Sequence, residues 1–330
     1  TSILVESVSD ETGEYSTGGM FGKVTGASGT LVIQSGIAHR NSDGDTSGSV
    51  SVRVGGDAHV GLICGSLENG TIQLGAPTSA LITFSDTYTI TATGESADAG
   101  AIIGHMDEGT AFINYADLTL DNNKVTSASE NAGGLIGYMA KGADLKIGNN
   151  IAINNPTVEG HENAGGLAGF AEDIELIKET ESSLELTVSS PEVKLKKTSR
   201  ATANGAGGVF GYYRNTAEGE VHFPDWVKIA SSENEEINLL SYGATYDESV
   251  GSLGGVFGLL ELGAATTYIV QLGDLYCHRI GENEDNSFAG NYGAVAGCVK
   301  TEDPVDGLGA LKIIGKTDLS TVVADGGQRK

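Results

Sequence analysis

The chain has 330 residues, 49 of them glycine and only 5 proline, with 39% hydrophobic and 6% aromatic residues. This excess of glycine over proline excludes collagen and a disordered Pro-Gly tract, so the glycines must be positional and the core thin and aliphatic. Nineteen basic against 44 acidic residues leave a formal charge of −25, which disfavours nucleic acid and anionic lipid as partners. No apolar run approaches the ~18 residues that span a bilayer, and the first residues lack the basic-then-apolar order of a secretory signal.

In chain order, a strand-like run at 3–8 precedes the word STGGMFG (16–22), and another run follows at 30–34. The stretch 41–45 carries Asp43 and Asp45. It has the oxygen-rich look of a calcium loop without the full ligand pattern, and reads as a solvated turn. Runs at 49–54 and 88–93 lead to HVGLICG (59–65) and DAGAIIG (98–104); Thr87 just before the second run and Thr89, Thr91 and Thr93 within it alternate, a row the other repeats do not continue. Runs at 118–120, 145–147 and 184–188 are interleaved with NAGGLIG (131–137), NAGGLAG (163–169) and GAGGVFG (205–211). Residues 216–225 and 234–250 read as outer loops, the first leading into Trp226, the only tryptophan. SLGGVFG (252–258), a run at 268–271, an acidic loop at 282–285 and NYGAVAG (291–297) complete the pattern.

The eight words recur every 32 to 47 residues. Their third place is always glycine (Gly18, Gly61, Gly100, Gly133, Gly165, Gly207, Gly254, Gly293), and so is their seventh (Gly22, Gly65, Gly104, Gly137, Gly169, Gly211, Gly258, Gly297). The fifth place is aliphatic or methionine and the sixth apolar. Short apolar words between glycines mark buried strands rather than helices. Places five, seven and nine share one face by period-two alternation, and that face is expected to point inward. A glycine on it lets another strand approach closely. A word plus two further runs gives roughly three short strands per repeat, one triangular turn of a parallel β-helix with neighbours ~4.8 Å apart. Two smaller coils per repeat remain open at this stage. Residues 1–330 are read as a single all-β solenoid array, a segment of a longer protein.

The words NAGGLIG and NAGGLAG and their relatives resemble the GLUG motif of arrays on large bacterial surface proteins, the fourth-place residues Leu62, Ala101 and Ala294 departing from it. The resemblance covers all eight words. It implies an adhesin-like spacer or binding surface outside a bacterial cell, or the non-catalytic part of an immunoglobulin A1 metallopeptidase. The Gly-Gly-aliphatic words are also similar to polymorphic autotransporter β-helices, without a regular Phe-x-x-Asn companion.

Chemistry is sparse. There is no HExxH zinc helix; His161-Glu162-Asn163 merely precedes a glycine word, and the six scattered histidines read as surface imidazoles. Cys64, Cys277 and Cys298 lack metal or disulfide spacing and read as small buried hydrophobes. Glu130 and Glu162 each precede the Asn that opens a word, so one repeat per coil would stack them as a carboxylate pair or cation ligands, with Asn131 above Asn163. Exposed turn residues beside an Asn ladder are the plainer reading. Trp226 could stack on a sugar or cover a coil. No phosphate loop, dinucleotide fingerprint or serine elbow is present. The expectation is a non-catalytic, cofactor-free extracellular module, calcium being the one candidate ion. It would be a stalk or adhesive surface meeting host glycan, host protein or a second copy. The alternatives are a carbohydrate-active β-helix, lyase or hydrolase, and a self-assembling filament subunit.

Overall fold

The computed structural model describes residues 2–7, 16–25, 30–33, 51–76, 82–84, 88–179, 183–196, 204–229, 237–241, 251–263, 266–271, 277–282, 291–301 and 310–314. They contain no helix, so none that could cross a membrane. Every strand pair is parallel, and each strand pairs with its counterpart one repeat away. One repeat is therefore one coil, the architecture of a parallel β-solenoid.

The coil that opens at Asn131 shows the plan. It holds five short strands, Asn131–Gly133, Ile136–Met139, Asp144–Ile147, Ile151–Asn154 and Thr157–Gly160, before the chain re-enters the next word at Asn163. Five ladders, numbered here in that order, run along the stack. Among the described residues the first, second and fifth have eight strands, and the third and fourth five each. The expected count of three per coil is thus corrected to five, because the chain turns corners too short to show as gaps in the sequence pattern. Between the fourth and fifth ladders the corner is Asn122, Asn155 or Ser190, all at positive φ (52°, 48° and 46°). Asn tolerates this left-handed backbone better than most L-residues. Asn154 and Asn155 also donate side-chain hydrogen bonds to Asp121 and Asn122 one coil back. Ser190 is the misfit, and Ser190→Asn is expected to stabilise by about 0.5–1 kcal/mol, measured as a higher urea midpoint; an unchanged or lower midpoint would contradict the corner assignment.

Alternation along the strands fills the coil interior. Ile151 and Ile153, Leu145 and Ile147, and Val158 are fully buried, as are their ladder partners Leu118, Leu120, Phe112 and Val125. Each such side chain contributes about 1.5–3 kcal/mol on burial. At the fifth place of the words Ile63, Ile102, Leu135, Leu167, Val209 and Val256 are fully buried, but Met20 in the first word is 41% exposed, as is Val299 after the last.

The glycine columns meet backbone. A Cβ on Gly133 would overlap the carbonyl oxygen of Ile136, and each third-place glycine faces the carbonyl three residues on in the same way. A Cβ on Gly137 would lie 2.8 Å from the Ala99 carbonyl oxygen, and one on Gly169 2.7 Å from the Ala132 nitrogen. The seventh glycine therefore faces first-ladder backbone, not an apolar side chain, and the first two ladders touch backbone on backbone.

Residues 216–225, expected as a loop, contain the strand Gly219–His222, which pairs with Thr266–Gln271 and so belongs to a separate three-stranded sheet with Ala310–Ile314. Within 234–250, Ile237–Ser241 joins the fifth ladder and the rest lies outside the described residues. The threonine row is continued at one place only: Thr91 pairs with Thr126, which pairs in turn with Glu159, whereas Thr89 pairs with Arg53 and Lys124, and Thr87 lies outside the described residues.

The outer edge of the second ladder carries alternating charge. Glu172, Arg214, Glu261 and Lys300 follow one another in register, with Arg214 3.2 Å from Glu172 and Lys300 2.5 Å from Glu261. Burial alone would raise the pKa of Glu261. Hydrogen bonds from Lys300 and Tyr212, and the charges of Lys300 and Arg214, outweigh this and hold it below the ordinary glutamate value of 4.5. A lowered folded pKa means stability that is present above the unfolded value and lost as pH falls through the folded one. Glu261→Gln is therefore expected to flatten the acid limb of the stability–pH curve below about pH 5; an acid limb identical to that of the parent chain would refute the assignment.

Candidate functional site

The first place of each word forms a column down the first ladder: Ser16, His59, Asp98, Asn131, Asn163, Gly205, Ser252 and Asn291. Its middle part is a buried polar ladder. Asn131 donates from its backbone N–H and from Nδ2 to Asp98 Oδ1, at 3.2 and 2.8 Å. Asn163 Nδ2 donates to Asn131 Oδ1 at 2.8 Å, and the Gly205 amide to Asn163 Oδ1 at 2.9 Å. Each side chain is 5% exposed or less, so each bond replaces one that water would have made.

Asp98 heads this ladder and turns its other oxygen, Oδ2, toward two imidazoles. His59 Nδ1 lies 3.1 Å away and His105 Nδ1 2.7 Å away. His105 comes from the second-ladder strand Ile103–Met106, at the eighth place of its word, and its Nε2 lies 3.1 Å from Asp107 Oδ1. The two imidazole centroids are 4.3 Å apart. Below His105 the eighth-place column continues as a file of rings: Tyr138 stacks on His105 at 4.5 Å, Phe170 on Tyr138 at 4.9 Å, and Tyr212 meets Phe170 edge-on. His105, Tyr138 and Phe170, stacked in turn, cover one another's faces.

Burial by itself would raise the pKa of Asp98, but hydrogen bonds from His105 and His59 and their charges bring it down to about 2. Burial would lower that of His105, but Asp98 and then Asp107 raise it above the ordinary imidazole value. A cleft of about 340 Å³ opens here, lined by Asp57, His59, Asp98, His105, Glu130 and Tyr138 among others. Imidazoles and carboxylates converging on one small volume can hold a cation. The two partners of the His105 ring nitrogens are both aspartates, so that ring is not arranged as a base for a hydroxyl nucleophile.

The sequence-derived candidates fall out as follows. Glu130 lines the cleft and Glu162 does not. The two do sit one coil apart, since the Glu162 amide donates to the Glu130 carbonyl at 3.0 Å and Asn131 pairs with Asn163. Asp43 and Asp45 lie outside the described residues. The Trp226 indole is partly buried and packs against the core. Cys64 is buried, which pushes its thiol up to about 12, whereas Cys298 is half-exposed rather than buried; the side chain of Cys277 lies outside the described part of the structure. His59, Asp98 and His105 were not singled out from the sequence: the words were compared at their third, fifth, sixth, seventh and ninth places, and it is the first and eighth that bring these residues together.

Comparison with protein-family models, with curated proteins and with solved structures gives no match to this chain.

Proposed function

We propose that this chain is a non-catalytic module of an extracellular bacterial surface protein, acting as a stiff stalk or adhesive surface. The observation that carries the reading is the continuity of the ladders. Three of them run through all eight repeats, while the variation in repeat length is taken up between the strands. Selection for a fixed spacing with free outer surfaces gives this pattern, and each coil is stabilised by its neighbours. The charge of −25 keeps such a surface soluble and leaves host glycan, host protein or another copy as its partners.

A second reading, a carbohydrate-active β-helix, draws on the carboxylates of the cleft, Asp57, Asp98 and Glu130. It is weaker because Asp98 is committed to two imidazoles and an asparagine. A glycan-array and matrix-protein binding screen of the chain, with product analysis and sedimentation at rising concentration, separates the readings. Binding without turnover, or no binding and a monomeric rod, fits an adhesive surface or a spacer. Glycan cleavage would overturn the proposal in favour of the enzyme, and concentration-dependent growth in length would overturn it in favour of a filament.

A further inference from the structure

We propose that His59, Asp98 and His105 form a binding site for a divalent transition-metal ion of the zinc type. This goes beyond the stalk reading and stands or falls separately from it.

Convergence is the first support. One ligand atom from each of the three residues can be chosen so that all lie within 4.8 Å of one another. Tetrahedral zinc with bonds of ~2.0–2.1 Å needs neighbouring ligands about 3.3 Å apart. The two nitrogens stand 3.1 and 2.7 Å from Asp98 Oδ2, so the shorter contact must open by roughly 0.6 Å to seat the ion.

The surroundings are the second. If His105 ligates through Nδ1, its Nε2–H points at Asp107 Oδ1, 3.1 Å away, and the other oxygen of Asp98 is already fixed by Asn131. Partners of this kind, orienting each ligand from behind, are what metal-binding histidines and carboxylates require. Three protein ligands leave a fourth position facing the cleft.

His59 supplies a third argument. Its Nδ1 is 3.1 Å from both the Asp98 amide nitrogen and Asp98 Oδ2. To accept from the amide the nitrogen must be bare, and it then confronts a carboxylate oxygen. To donate to Oδ2 it must carry a proton, which confronts the amide N–H. No protonation state satisfies both contacts. A cation shared between Nδ1 and Oδ2 would turn the repulsive contact into an attraction and release the amide contact, since the one lone pair of Nδ1 either accepts or ligates. Two imidazoles in the set favour zinc and its neighbours over calcium or magnesium, which take oxygen ligands.

Finally, the repeat itself marks the place. Elsewhere its first place holds Ser, Asn or Gly; His59 and Asp98 are the two exceptions, in consecutive coils, and the only histidine of the eighth-place column, His105, touches both.

The same register supplies conservative variants. His59→Ser, Asp98→Asn and His105→Phe each install the residue found at that place in another repeat, namely Ser16, Asn131 and Phe170, and far-ultraviolet circular dichroism checks that the coils persist. The full chain, freed of metal by chelation, is titrated with Zn²⁺ by calorimetry in excess Ca²⁺, and with Co²⁺ by visible absorption. One equivalent of Zn²⁺ is expected to bind despite calcium, Co²⁺ to show the intense bands of a four-coordinate ion, and each variant to weaken binding at least ~100-fold. Absence of one-equivalent binding, displacement by calcium, or undiminished affinity in the folded variants would overturn the site. Glycan binding has no bearing on any of these readouts.

Discussion

Gly137→Val is expected to destabilise the chain by on the order of 3–5 kcal/mol, whereas Glu130→Gln should change stability by no more than about 0.5 kcal/mol. The valine Cβ would press on the carbonyl oxygens of Gly104 and Ala99 together. Both belong to hydrogen-bonded ladders, so neither can swing aside as the end of a side chain could. Relief requires the first and second ladders to separate around this coil. Glu130, half-exposed at the cleft, can exchange a carboxylate for an amide of the same shape. In a one-dimensional array the damage is local at first, so urea unfolding followed by circular dichroism should show a broadened or split transition for Gly137→Val and a parental one for Glu130→Gln. Equal, negligible effects would remove the backbone seam from the account.

Asn131→Ala is expected to cost about 2–4 kcal/mol. The truncation takes from Asp98 Oδ1 its 2.8 Å donor and from Asn163 Nδ2 its acceptor, all within a buried column. The loss exceeds that of an ordinary hydrogen bond because one abandoned partner is a carboxylate, in a residue only 3% exposed. Equilibrium unfolding of Asn131→Ala, Asp98→Asn and the double variant gives the coupling between the two residues. A coupling energy near zero would show that the column is not acting as one network.

The glycine words told most about the fold. Two glycines four places apart around an apolar core, repeated eight times, identify parallel coils because no helix or hairpin requires that spacing. The strand runs at 88–93, 118–120 and 145–147 correspond to Tyr88–Ala92, Leu118–Asp121 and Asp144–Ile147. Hidden from the sequence were the corners: Asn155 between two ladders reads as one more polar residue, and its left-handed φ is what lets five strands fit where three were expected. The cleft stayed hidden for another reason. His59 and Asp98 are 39 residues apart, His105 seven further on, and only the register Val60 to Ala99 closes that distance. Each reads as an ordinary surface residue until the first and eighth places are compared from coil to coil.

The ladders also set how the chain answers to force. Their hydrogen bonds run along the stack, so tension applied between the chain ends peels one coil from the next instead of shearing many bonds at once. A released coil of 32 residues gives up roughly 4.8 Å of stack height and returns on the order of 100 Å of extended chain. Such a stack would lengthen stepwise under load, each step limited by a single coil, and would dissipate a pull many times longer than its own resting height.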